Sequence, residues 1–405
     1  MKQHETSDAN SMPRAGSARL TPIDLVAGYP IGTVAGLAAP VGNRSSPHPR
    51  EELERIIRKQ LQRSPCVVAF SGGRDSSAIL AIATHLARRE GLPAPIPVTM
   101  RYSDAPSTEE SDWQELVVRH LGVTNWVIER IDDEMDVLGP LAQSQMLRHG
   151  VLWPSLLHGD DYFARHAPNG SVLDGEGGDE VLAVKRHRVA PVVRLVQRVR
   201  EGHLPRRWQL RAAAAAAAPA IIRLPRARRR AANLPLPWLK PPALGEVAAN
   251  YARNEASEPL NGRKSVARIP GRRSNRMLAA NRRYLWANQG VEFCSPFLEA
   301  TFVTALTGRT GILGPMDRAT TLRMICEDLL PDAILERTTK AEFSSAIHRS
   351  YTKTFAAQWS GEGLDTSLVD IDVLRQIWLG NAPSNSLAKP LLQTAWLADH
   401  AKRTT

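Results

Sequence analysis

A loop of small residues follows an apolar run near residue 70. Residues 66–70 predict a buried strand, and Ser-Gly-Gly-Arg-Asp-Ser-Ser follows at residues 71–77. A glycine loop between a strand and a helix N-terminus binds anions, because backbone N–H groups and the helix dipole favour negative charge there. Asp75 would repel a bare phosphate, so it suggests that Mg²⁺ lies between the two. The plain alternative is a strand–turn–helix connection whose serines cap the helix.

A second candidate site follows the apolar run 170–173. Residues 174–180 read Asp-Gly-Glu-Gly-Gly-Asp-Glu, which is four carboxylates among three glycines. Alone, this pattern is typical of an acidic surface turn or a weak Ca²⁺ loop, and it lacks EF-hand spacing. If both runs are parallel strands of one sheet, their carboxyl ends lie at the same edge. Asp75 and Asp179 could then share Mg²⁺ bound to a triphosphate.

The two loops together resemble a known family. Ser-Gly-Gly-x-Asp-Ser resembles the pyrophosphate loop of the ATP pyrophosphatase superfamily and is no Walker A loop, since Gly-Lys-Ser/Thr does not follow. With Gly-Glu-Gly-x-Asp-Glu, the chain is similar to the synthetase domain of asparagine synthetase and its relatives, the β-lactam synthetases and lasso-peptide cyclases. Three later stretches carry the same resemblance: Gly-Val-Glu-Phe-Cys-Ser-Pro-Phe-Leu-Glu at 290–299, Leu-Leu-Pro at 329–331, and Arg-Thr-Thr-Lys-Ala-Glu-Phe-Ser at 337–344.

The resemblance implies an ATP- and Mg²⁺-dependent ligase that forms an amide bond. Such an enzyme adenylates a carboxylate, transfers it to an amine or ammonia, and releases AMP and pyrophosphate. The carboxylate would belong to aspartate, or to an Asp or Glu side chain of a peptide or natural-product precursor. The implied fold is α/β, with a parallel sheet flanked by helices as in the ATP pyrophosphatases and a helical C-terminal portion.

The resemblance also implies a role for each matching residue. Asp75 and Asp179 would bind Mg²⁺, and Glu176 would accept a proton from the attacking amine. Lys340 would stabilise negative charge on the adenylate and the tetrahedral intermediate. Without the family, Lys340 would be a surface cation in a polar loop. Arg318 stands where the family often has a phosphate-facing lysine. The residues that would bind ATP are Val68, Ala69, Phe70, Ser71, Gly72, Gly73, Asp75, Ser76, Val98, Met100, Gly175 and Arg318.

The source of the amine follows from the start of the chain. Asparagine synthetase begins with a glutaminase domain whose nucleophile is an N-terminal cysteine, whereas Lys2 follows Met1 here. We therefore expect no glutaminase, and the nucleophile would be free ammonia, ammonia supplied by a partner, or an amine on the substrate. A lasso-peptide-type macrolactam cyclase is the most specific alternative. A non-catalytic nucleotide- or leader-peptide-binding subunit and a tRNA-modifying enzyme are alternatives of other classes.

Composition fits a globular protein, since 43% of the 405 residues are apolar and 23% are charged. No apolar run is long enough to span a membrane, and the first 20 residues lack the apolar core of a secretory signal. We therefore expect a cytoplasmic protein without membrane association. Cys66, Cys294 and Cys326 lack metal-site spacing and indicate reduced core thiols.

The net charge of +11 is concentrated in one segment. Residues 185–232 contain 14 Lys or Arg and one acidic residue, Glu201, so the rest of the chain is slightly acidic. This segment could be a solvated helical face, or it could dock an acidic peptide or a partner protein. Nucleic-acid binding is the least favoured interpretation, because aromatic residues do not interleave with the arginines.

Strands alternate with helices between residues 49 and 173. The predicted strands are 66–70, 96–102, 124–129 and 170–173, and the predicted helices are 49–62, 76–89, 109–121, 136–149 and 155–166. This alternation predicts a parallel sheet with its ligand at the carboxyl ends of the strands. The proline-rich stretch 234–242 is expected to be irregular. The predicted domains are a flexible arm at 1–48, an α/β nucleotide-binding core at 49–184, a basic, proline-rich insert at 185–242 and a helical remainder at 243–405.

Overall fold

The computed structural model describes residues 16–103, 105–185, 187–339, 341–380 and 385–404. Five parallel strands form one sheet in the order β3-β2-β1-β4-β5. The strands are β1 (Cys66–Ala69), β2 (Ile96–Tyr102), β3 (Val127–Ile131), β4 (Ser171–Leu173) and β5 (Glu292–Cys294). The predicted α/β fold with a parallel sheet is confirmed.

Helices flank the sheet and make up most of the chain after β4. The first ten are α1 (Pro22–Ala27), α2 (Pro49–Leu61), α3 (Arg74–Glu90), α4 (Ser111–Leu121), α5 (Pro140–His149), α6 (Asp161–Ala164), α7 (Gly178–Val181), α8 (Ala190–Arg200), α9 (Arg207–Ala217) and α10 (Ala220–Ala231). The others are α11 (Pro241–Ser257), α12 (Gly262–Ala267), α13 (Arg273–Trp286), α14 (Ala300–Arg309), α15 (Arg318–Cys326), α16 (Asp332–Leu335), α17 (Ser344–Ile347), α18 (Ser350–Gln358), α19 (Ile371–Leu379) and α20 (Asn385–Thr404). The predicted helical C-terminal portion is confirmed. Among the described residues, no helix has the length and apolarity needed to cross a bilayer.

Strand β1 is buried on both faces of the sheet. Val68 packs in a core with α2, α3, α14 and α15, whereas Val67 packs on the opposite face with Val172 and Trp286. Successive side chains of a strand point to opposite faces, so a short, fully apolar run suits the centre of a parallel sheet. The three cysteines are buried and form no disulfide. The carboxyl edge of the sheet is thus held by cores on both sides.

A second core joins the two ends of the described chain. It contains Val26 of α1, Trp238, Trp378 of α19 and Leu392 of α20. Trp238 Nε1 donates to the carbonyl oxygen of Val26 at 2.9 Å. A Cβ atom at Gly28, where φ is +70°, would lie only 1.7 Å from a backbone oxygen of α20, so glycine is required there. Helix α1 from the beginning of the described chain and helices α19 and α20 from its end therefore share one core.

Several predicted boundaries are wrong. β3 begins three residues later than predicted, and β5 was not predicted at all. The predicted helix 155–166 is a 3-10 turn (Leu157–Asp160) followed by the single turn α6. It contains Gly159, a weak helix former whose Cβ would come within 2.6 Å of Met135 Cε. The stretch 234–242 is not wholly irregular, because α11 begins at Pro241, where a first-turn proline forfeits no intrahelical hydrogen bond.

Candidate active site

The loop between β1 and α3 is held in shape by hydrogen bonds of its own serines. Ser76 Oγ accepts from the Ser71 N–H at 3.2 Å and donates to the Gly73 carbonyl oxygen at 3.1 Å. Gly72 has φ of +81°, and a Cβ there would lie 2.8 Å from Gln114 Cγ, so only glycine fits. α3 begins at Arg74 rather than at the predicted Ser76, so Asp75 lies in its first turn. The helix dipole favours the negative charge of Asp75 at that position.

The acidic loop after β4 lies directly against this first turn. A Cβ atom at Gly175 would lie 2.9 Å from Asp75 Cβ, and one at Gly178 would lie 2.3 Å from Asp75 Cγ. Gly177, with φ of +85°, turns the chain into α7, which carries Asp179. Neither Gly175 nor Gly178 can be replaced without moving Asp75. The structure therefore brings the two acidic loops together at the carboxyl edge of the sheet.

Arg318 joins the two carboxylates that the sequence predicts to bind magnesium. Its guanidinium pairs through Nη2 with Asp75 and through Nη1 with Asp179. Burial alone would lower the pKa of Arg318, but the two carboxylates outweigh it and raise this pKa. Arg318 starts α15, which is capped by the side chain of Asp317 accepting from the Thr320 N–H at 2.8 Å. The Arg318 guanidinium thus lies between Asp75 and Asp179.

A buried ion pair anchors the segment before Lys340 to the loop between β1 and α3, which is the predicted phosphate loop. Arg337 pairs with Glu110, and both side chains are more than nine-tenths buried. Arg337 Nη1 also donates to the Gly72 carbonyl oxygen at 3.1 Å, and its guanidinium lies 4.6 Å from the ring centroid of Trp113. The Ala341 N–H donates to Glu110 at 2.9 Å. Lys340 itself lies outside the described residues, but the residues on either side of it are held beside the phosphate loop.

Glu176 lies over a buried ion network. Its N–H donates to Asp174 Oδ1 at 3.0 Å. Asp174 pairs at 2.5 Å with Arg282, which also binds Asp160 through two contacts at 2.8 and 3.1 Å. Burial opposes the charge of Arg282, but Asp160 and Asp174 raise its pKa. The network fixes the backbone from which the Glu176 side chain projects.

The Glu176 carboxyl group is accessible to solvent but only partly hydrated. The Glu176 residue is exposed, yet many protein atoms lie around its carboxyl group and reduce its hydration. This desolvation, followed by the negative charge of Asp174, raises its pKa to about 7, and the positive charge of Arg282 opposes the change. A carboxyl with a pKa near neutrality is suited to accept a proton.

The residues predicted to flank adenine occupy two kinds of position. Ala69 and Met100 are partly accessible at the carboxyl edge of the sheet. Val68, Phe70 and Val98 are fully buried in the cores. Their side chains face away from solvent, so these three could contact a nucleotide only through the backbone. The Phe70 carbonyl oxygen already accepts from Thr99 Oγ1 at 2.7 Å.

The donor set at the two loops fits magnesium bound with phosphates. Among the described residues, no three His, Cys, Asp or Glu side chains form a metal cluster. Mg²⁺ is commonly held by one or two carboxylates together with substrate phosphates and water, which matches Asp75 and Asp179. Both carboxylates already face one cation, Arg318, so their side chains are oriented for cation binding.

Sequence reasoning missed the positioning residues. Arg337 was seen only as part of a motif, and Glu110, Asp160 and Arg282 were not singled out. The partners in these pairs are more than 100 residues apart in the chain, so no local spacing could reveal them. An arginine or glutamate inside a helical pattern otherwise reads as a solvated charge.

Two comparisons with known proteins gave different results. No curated protein sequence matches the chain. The family model for asparagine synthase, in contrast, matches residues 48–400. That match includes β1 to β5, both acidic loops, Arg318 and Arg337. Because it covers most of the 405 residues and every part of the site, the chain belongs to the asparagine synthase family.

Proposed function

We propose that the chain is an ATP- and Mg²⁺-dependent ligase that adenylates a carboxylate and transfers the acyl group to an amine or ammonia. The family makes it an ATP-dependent amide-forming synthetase, and the adenylating step and the substrate are our proposal. The strongest support is the pairing of one guanidinium with both Asp75 and Asp179 at a helix N-terminus. We place the reaction in the cytoplasm, where ATP is available.

Asp75 and Asp179 would hold magnesium once ATP binds. The ion would neutralise charge on the phosphate oxygens and so favour attack at the α-phosphorus. Arg318 would turn from the carboxylates toward the phosphates. The N-terminal turn of α3 would bind the leaving pyrophosphate through its N–H groups and the helix dipole.

The remaining steps use groups beside the two loops. An oxygen of the donor carboxylate bonds to the α-phosphorus as the bond to pyrophosphate breaks. The amine nitrogen then attacks the acyl carbon, a C–N bond forms, and AMP leaves. Glu176 would take the proton that the amine loses. Lys340 would stabilise the negative charge that develops on the carbonyl oxygen and the phosphate.

The proposal is tested by pyrophosphate release in the presence of ATP and Mg²⁺. We would screen aspartate and peptides with Asp or Glu side chains, each with and without ammonia. Release that depends on one carboxylate, with matching AMP and amide formation, is the expected result. A chain that binds ATP but releases no pyrophosphate with any of these substrates would instead be the non-catalytic, leader-peptide-binding subunit. Amide formation within one peptide would identify a macrolactam cyclase.

The pH dependence of the amide-forming step should report Glu176. Because the proton acceptor must be ionised and its pKa is raised to about 7, we expect the rate to fall about tenfold per pH unit below that value. Glu176→Gln should be slower and should lose this acidic limb. Glu246→Gln, at an exposed carboxylate of α11, is the control and should keep it. An unchanged limb in Glu176→Gln would assign the titration to another group.

A further inference from the structure

Helices α8, α9 and α10 present an unusually basic surface, here called the insert surface and defined as residues 194–230. Nine of its arginines are exposed. Among the described residues, only Arg230 of this surface pairs with a carboxylate, that of Glu255. On α2 and α3 the pattern differs, since Arg50, Arg58 and Arg89 all pair with glutamates. The insert surface therefore carries positive charge that the described part of the chain does not neutralise.

The same surface exposes large apolar side chains. Leu204 in the turn before α9 is 87% exposed, and Ile221 at the start of α10 is 81% exposed. Trp208 and Val199 are 57% and 55% exposed. Single exposed apolar residues are ordinary, but several within about 25 residues beside unpaired arginines indicate a binding surface. The occupant should therefore combine negative charge with apolar side chains.

The insert surface adjoins the candidate active site. Gln197 of α8 donates to the Met316 carbonyl oxygen at 3.4 Å, and Met316 lies two residues before Arg318. The Val184 N–H, at the base of the insert, donates to the Pro315 carbonyl oxygen at 2.9 Å. Val193 of α8 packs in the main core with Leu322 of α15. A chain bound on the insert surface would therefore lie near the loop that carries Arg318.

We propose that the insert surface docks an acidic polypeptide segment with interspersed apolar side chains, and that this segment belongs to the substrate whose carboxylate is activated. The substrate role rests on the proposed ligase function, whereas the docking does not. A membrane fits less well, because the exposed apolar residues are spread over α8, the start of α9 and the start of α10, with exposed arginines and alanines between them. RNA fits less well because Trp208 is the surface's lone aromatic residue.

The test uses the full chain and fluorescence anisotropy. The probe is a fluorescein-labelled peptide of repeating Glu-Leu-Glu-Ala units, compared with its Lys-Leu-Lys-Ala counterpart, a labelled oligouridine, and vesicles of equal parts phosphatidylcholine and phosphatidylserine. The acidic peptide should bind, and more weakly as salt rises, while its basic counterpart should not. The charge-reduced variant combines Arg226→Gln, Arg228→Gln and Arg229→Gln and should bind it roughly tenfold more weakly.

A matched control removes the same number of exposed arginines elsewhere. It combines Arg44→Gln, Arg119→Gln and Arg130→Gln and should bind the acidic peptide like the wild type. The proposal is overturned if the acidic peptide does not bind, if both triple variants lose affinity equally, or if vesicles or oligouridine bind more tightly than the peptide. ATP–pyrophosphate exchange is measured separately, so failure of docking and failure of the ligase function give different results.

Discussion

Replacing either Asp75 or Asp179 with alanine is expected to lower ATP–pyrophosphate exchange by roughly 100- to 1,000-fold. Each substitution removes one of the two carboxylates that would hold magnesium against the phosphates. It also leaves Arg318 with one partner fewer, so the cation shifts toward the remaining carboxylate. Exchange of labelled pyrophosphate into ATP measures the adenylation step without requiring the amine.

The control for this prediction is Asp112→Ala. Asp112 lies in the first turn of α4 and is exposed, so it shares its helical position with Asp75 but not its surroundings. Its replacement should leave exchange unchanged. If Asp75→Ala and Asp179→Ala both exchange like the wild type, the two loops do not hold the reacting phosphates and the proposed function is wrong.

Arg282→Met is expected to destabilise the chain by about 3–5 kcal/mol. Arg282 binds Asp160 and Asp174, and all three side chains are about nine-tenths buried. Methionine keeps the volume but leaves two carboxylates inside the protein without their cation, which is far more costly than losing an exposed pair. Urea unfolding measures the change in the free energy of unfolding.

The pH dependence of the stability loss in Arg282→Met distinguishes the effect of the missing charge from the effect of altered packing. Without Arg282, the pKa of the Asp160 carboxyl, which burial already raises, should rise further, so this group becomes neutral at a higher pH. The penalty should therefore shrink as pH falls and grow as pH rises. Arg323→Met is the matched control, because half-buried Arg323 also pairs with carboxylates, those of Asp332, Glu336 and Glu327, but these carboxylates are exposed. It should leave the unfolding midpoint nearly unchanged at every pH, and an equal loss in both variants would contradict burial as the cause.

The sequence predicted those parts of the fold that are strongly apolar and locally periodic. β2 has the predicted limits, and α2 and α3 come within two residues of theirs. β5 escaped prediction because it has three residues and begins with Glu292, which contacts Lys59 and Gln60 at the sheet edge. Short strands at an edge gain their structure from neighbours rather than from their own pattern.

The site was predictable to the extent that its chemistry lies in contiguous motifs. The loop around Asp75 and the loop around Asp179 could be found by composition, and the order of parallel strands explains why they meet. Which carboxylate of the second loop forms the buried pair with Arg282 could not be predicted, because Asp174 and Glu176 are carboxylates two residues apart in one short loop. That pairing depends on how α13 packs against β5, which no local spacing encodes.

The position of Arg318 between two carboxylates also changes the net charge that an approaching anion meets at the site. Asp75, Asp179, Arg318 and Arg74 together carry no net charge. Burial, followed by the positive charge of Arg318, lowers the pKa of Arg74. Two bare carboxylates would repel a triphosphate during its approach, when long-range charge matters most. In the proposed ligase, the Arg318 guanidinium would reduce this repulsion and so favour the approach of the triphosphate.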